Sequence, residues 1–166
     1  MNQDAIDSFW ADARVRAGLN PIGAITGPNV ADSLPPPAYS FGATPEQADE
    51  SLALVLQGIK TATASALRDY QLEHQDLPQV GGLSIILDGA GLPGALIRTT
   101  DVQIMRFDKV SEEHAYAEGE GDRTLEHWRA VHEWFFKEYD TNTRGFSKDM
   151  RVVLERFELL VPPPPH

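Results

Sequence analysis

Hydrophobic positions along the chain fall into blocks of two periods, and the periods predict the elements. In "DAIDSFWADARVRAGL" (4–19), Ile6, Phe9, Trp10 and Ala13 recur at i, i+3, i+4 and i+7, the stripe of an amphipathic helix ending near Gly18. "FGATPEQADESLALVLQGIK" (41–60) carries helix punctuation at both ends. Thr44 is an N-cap, Pro45 suits the first turn, Gln47 completes a capping box, and Gly58 closes the helix behind Leu52, Val55 and Leu56. "TLEHWRAVHEWFFKEY" (124–139) predicts another helix, with Leu125, Trp128, Val131 or His132, and Phe135 along one face. Strand-like runs stand at "LSIILDG" (83–89), "GALIRTTDVQIMRF" (94–107) and "MRVVLERFELLV" (150–161), the first two joined by the turn-rich "DGAGLPG". Helix, antiparallel strands and helix together predict an α+β domain on a small sheet or barrel. The expected organisation is an N-terminal helix and Pro/Gly-rich arm over 1–39, a domain over 40–161, and a frayed tail over 162–166.

Composition narrows the chemistry. The 166 residues suffice for one well-buried core, and the absence of cysteine removes disulfides and thiolates. No apolar run reaches membrane-spanning length and no signal-like start is seen, so a soluble cytoplasmic protein without a membrane partner is expected. Acids outnumber bases 25 to 14, a net charge of −11 that opposes broad nucleic-acid binding. DNA is therefore not an expected partner, and any RNA must be held locally. The acids concentrate in "SEEHAYAEGEGD" (111–122).

Few residues qualify for catalysis. His127 and His132, five apart on a helix, do not share a face, while His114 and Glu118 do. One such pair does not make a metal site, and neither a metal nor a cofactor is expected. There is no Gly-x-Ser-x-Gly elbow, and the glycines at 81–82 and 89–94 read as turn-formers. "GIKTATAS" (58–65) is different. Lys60 behind a helix-ending glycine can satisfy loose carbonyls and the helix dipole. A desolvated lysine can equally take a proton from Thr63, provided the chain turns enough to bring the two together.

Gly58-x-Lys60-x-x-Thr63 resembles the Gly-x-Lys-x-x-Thr signature of ASCH domains. The preceding helix, the "LPQVGGLSIIL" approach to a strand and the acidic "VSEEHAYAEGEGDRTLEHWRAVH" segment extend that resemblance over about 40–161. Many members have Arg two positions after the threonine, where this chain has Ser65. The resemblance implies a small PUA-like β-barrel with flanking helices and a pocket for single-stranded RNA or an RNA-derived nucleoside. It also implies two chemistries. One is hydrolysis of the acetyl amide of N4-acetylcytidine by Lys60, Thr63 and Glu118, with Glu118 expected to have a raised pKa from Glu120, Asp122 and partial burial. The other is cleavage of single-stranded RNA, with Lys60 stabilising phosphate and Ser147 matching a late serine. Length and the N-terminal extension favour the RNA-cleaving branch. Ser65, Arg123 and Ser147 are the candidate substrate-binding residues, and Arg144, Lys148 and Arg151 stand in segments that could offset the acidity. A non-catalytic reader of RNA or modified nucleotides is a third reading.

Overall fold

The computed structural model describes residues 2–19, 34–139 and 145–163. Most of the proline-rich arm (20–33), Arg144 and the tail (164–166) lie outside the described residues. Helix α1 (Gln3–Arg16) starts at Asn2, whose side chain accepts from Ala5 N at 3.1 Å, and buries the predicted Ile6, Trp10 and Ala13. A two-residue strand β1 (Ala38–Tyr39) follows. In α2 (Pro45–Leu56), Thr44 Oγ1 accepts from Gln47 N at 3.1 Å, and the Gln47 side chain returns to Ala43 N at 2.7 Å. Thr44→Ala should therefore cost about 1 kcal/mol in urea denaturation, the usual worth of an N-cap. A loss near zero would mean that this cap is not holding the helix. Gly58 takes φ +75, the left-handed conformation that glycine adopts without strain, and turns the chain out of α2.

Strand β2 (Ala62–Ala66) then runs straight into a short helix α3 (Leu67–Leu72), which has no side-chain cap and no sequence signal. Strands β3 (Leu83–Leu87), β4 (Pro93–Arg106) and β5 (Arg151–Val161) lie where periodicity predicts them. The β3–β4 turn is fixed by the Asp88 carboxylate, which accepts from Ala90 N and Leu92 N at 2.9 Å each. Between β4 and β5 come α4 (Glu112–Glu118), capped by Ser111, and α5 (Leu125–Glu138), capped by Thr124.

The strands form one mixed sheet in the order β1-β3-β4-β5-β2, with β1 parallel to β3 and the β2–β5 and β3–β4 pairs antiparallel. The fold is α+β, as expected. Among the described residues the sheet is not closed into a barrel, because β1 and β2 are its two edges and do not pair.

The chain divides into two compact units. The first takes residues 1–58, 83–98 and 159–166, and its core sets Ile6, Trp10 and Ala13 of α1 against Ile85, Leu87, Leu96 and Val161. The second takes 59–82 and 99–158, with Phe107, Trp128 and Phe136 packed among Ala66, Val110, Ala115, Val152 and Leu154. All six candidate site residues belong to the second unit.

Candidate functional site

Lys60 is the last residue before β2 but one, and it is 1% exposed. Its Nζ donates to Ala62 O and Glu120 Oε1 at 2.9 Å each and to Glu118 O at 3.5 Å, and stands 3.7 Å from Glu118 Oε1. The lysine charge is thus directed at the end of α4 and the start of β2. Local backbone geometry makes this possible. Gly119 has φ +76, and a Cβ there would lie 2.8 Å from Ile59 O, so only glycine lets the α4 terminus sit against the segment leading to Lys60. Thr61 N donates to Ala117 O at 2.7 Å and ties the same two segments.

Glu118 is also 1% exposed and is the hub of the site. One oxygen meets His114 Nε2 at 2.8 Å and the Trp128 indole N–H; the other stands 3.4 Å from His132 Nε2 and faces Lys60. Burial alone would push the Glu118 carboxyl up. The charges of His132 and Lys60 and the hydrogen bonds from His114 and His132 outweigh it and hold the group well below the usual carboxylate range. This reverses the raised pKa expected from the acidic neighbourhood. Glu120 accepts from Lys60, and Glu118 is surrounded by donors. For His132, burial lowers the pKa and the Glu118 charge raises it, with further help from the Glu118 and Trp128 carbonyl contacts; the net shift is upward. His132 Nδ1 lies 2.8 Å from Trp128 O, so both ring nitrogens face acceptors, as an imidazolium requires. Trp128 is buried, stacked on His132 at 4.1 Å and on Phe107 at 5.3 Å. It is a core residue with a polar duty.

The other candidates stand elsewhere in this unit. Thr63 is on β2 directly opposite Glu155, and Ser65 Oγ shares a 2.8 Å hydrogen bond with Tyr70 OH. Ala62 and Ala64 pair with Arg156 and Leu154, so Thr63 and Ser65 point to the opposite face of the strand. Arg123, in a left-handed conformation at φ +65, donates to Tyr116 O at 3.0 Å and lies 3.4 Å over the Tyr116 ring. Ser147 is exposed and donates to the Asp149 carboxylate. The structure thus brings Lys60 and Glu118 together, sets Thr63 on the opposite face of β2 from Ala62 and Ala64, and bonds Ser65 to Tyr70, Arg123 to Tyr116 and Ser147 to Asp149. Sequence reasoning missed Glu120, His132 and Trp128. The spacing of Trp128 and His132, four apart on one helix face, was the available signal.

Beside this network a polar cavity of about 250 Å³ is lined by Asp101, Gln103 and Met105 of β4, Ser111, Glu113 and His114, and Leu154 and Arg156 of β5. Among the described residues no group of three or more His, Asp or Glu side chains is placed to hold a metal ion.

The model of the ASCH domain matches residues 37–161. This chain belongs to the ASCH domain family. The family has a PUA-like fold associated with RNA binding. A crystal structure of a protein from Enterococcus faecalis V583 is 36% identical, with a TM-score of 0.78, covering 95% of this chain and 88% of that one. The crystal structure of an ASCH domain from Lactobacillus crispatus JV V101 is 30% identical, with a TM-score of 0.71, covering 87% of this chain and 94% of that one. No curated protein matches the chain. Among the described residues no helix is long and apolar enough to cross a membrane.

Proposed function

We propose that this ASCH domain is a hydrolase acting on a nucleoside unit derived from RNA, bound in the polar cavity beside His114. The observation that carries the reading is the buried Lys60–Glu118–His132 charge network, joined to that cavity through His114, which bonds Glu118 and lines the cavity. Burying such charges is costly even when they are paired, and perturbed titratable groups beside a cavity mark functional sites. The cavity's size suits one base or nucleoside and not a length of strand. Its charge points the same way. Two carboxylates, Asp101 and Glu113, line it with one cation, Arg156, a balance that favours neutral hydrogen-bond donors over phosphate. Lys60 already directs its N–H groups at Ala62, Glu118 and Glu120, so a phosphate would have to displace protein acceptors to reach it. An amide such as that of N4-acetylcytidine fits these constraints.

Cleavage of single-stranded RNA is the second reading, favoured by Tyr116. Tyr116 is 58% exposed and the Arg123 guanidinium lies over its ring, which offers a stacking surface next to a cation. If RNA binds this way, the net charge of −11 limits it to few phosphate contacts. The slope of log affinity against log salt should then correspond to about two to four phosphates, and a steeper slope would refute a local site.

The deciding experiment is to incubate the pure protein separately with N4-acetylcytidine and with a single-stranded RNA oligonucleotide, and to follow products by mass spectrometry. Cytidine supports the proposal. RNA fragments without cytidine transfer the case to the second reading. A nucleoside retained without product would make the domain a reader with no chemistry.

A further inference from the structure

We infer that His114 is the group that carries the proton during this hydrolysis, in place of Lys60 and Thr63. The inference rests on the nucleoside-hydrolase reading above. Of the residues bound to Glu118 in the network, His114 is the one that also lines the cavity. Glu118, held as a carboxylate, can only accept, so His114 Nε2 is the donor at 2.8 Å and Nδ1 is the ring nitrogen left to take a proton. A carboxylate behind an imidazole fixes its tautomer and orientation and stabilises the cation formed when the ring is protonated.

The alternatives are poorly placed for that duty. Lys60 directs its N–H groups at Ala62, Glu118 and Glu120, and Thr63 lies on the face of β2 opposite to that shared by Ala62 and Ala64. Leu154 and Arg156, their cross-strand partners, line the cavity. The charges around His114 are Glu118 and Glu113 from its own helix, Asp101 from β4, Arg156 from β5, and Lys60 and His132 beyond Glu118.

The step balances with water alone. A water oxygen bonds to the acetyl carbonyl carbon as one of its O–H bonds breaks, and His114 Nδ1 takes that proton. The same proton passes to the amide nitrogen as the C–N bond breaks. The products are an amine and a carboxylic acid, with no change of oxidation state.

The test uses the full chain and N4-acetylcytidine. His114→Gln keeps a donor toward Glu118 but cannot carry a proton. It should lower kcat by about 10²- to 10⁴-fold while KM changes by less than about threefold. His114→Ala should recover part of its lost kcat when free imidazole is added, which a packing role would not allow. Wild-type kcat in His114→Gln, or inactive His114→Ala that imidazole does not rescue, overturns the inference and leaves the hydrolase reading standing. No turnover by the wild-type chain overturns both. Should both variants fail to fold, the wild-type His114 Hε1 resonance decides. A shift on adding cytidine supports the contact, and an unmoved resonance with cytidine bound overturns it.

Discussion

Lys60→Met should destabilise the protein by about 3 kcal/mol or more, the usual penalty for removing one partner of a buried ion pair. Methionine keeps most of the side-chain volume at a position that is 1% exposed, so the loss reports charge and not a cavity. Glu118 would retain His114, His132 and Trp128 as donors, but Glu120 would lose its 2.9 Å partner. Urea denaturation at neutral pH measures this directly. The companion variant Glu120→Gln should cost less, because the Glu120 side chain is 34% exposed and can turn to water. A lysine that merely closed α2 would cost a few tenths of a kcal/mol when replaced. A loss of that size for Lys60→Met would refute the buried network.

The regular elements were legible because each stands on a single strong pattern. The capping residues around Pro45–Leu56, the stripe of Gln3–Arg16 and the runs behind β3, β4 and β5 needed no tertiary knowledge. Helix Leu67–Leu72 and strand Ala38–Tyr39 were not legible, since six and two residues carry no period. The open sheet was hidden for another reason: closure depends on whether two distant edges pair, which no local pattern encodes.

The signature singled out Lys60 and the acidic segment singled out Glu118, and the fold brings the two within 3.7 Å. What the segment could not show was the sign of the Glu118 shift. Counting neighbours in "HAYAEGEGD" suggests carboxylates repelling one another and a raised pKa. In the fold Glu118 faces Lys60, His114, His132 and Trp128, which come from before β2, from α4 and from α5. Spacing within one helix gives the His114 contact alone.

That sign leads to the second large effect. Glu118→Gln is expected to cost about 3–5 kcal/mol, because it leaves the Lys60 and His132 charges buried with less compensation. The cost should depend on pH in a defined way. Folding holds the Glu118 carboxyl below its ordinary value of 4.5, so its contribution is complete above that pH and is lost as pH falls through the lower folded value. Folding raises His132 above its ordinary 6.5, so its contribution is complete below that pH and is lost as pH rises through the raised folded value. Both contributions are therefore full between pH 4.5 and 6.5. Without the Glu118 charge, burial becomes the dominant influence on His132 and favours the neutral ring, so in the variant this residue costs stability as pH falls below 6.5 and contributes no slope above it. Urea denaturation of wild type and Glu118→Gln across about pH 4 to 9 should give a difference that is largest in the lower part of the window between pH 4.5 and 6.5 and shrinks as pH rises above it. A difference that stays constant across this range would mean that Glu118 and His132 are not electrostatically coupled, and the charge network assigned to this site would have to be abandoned.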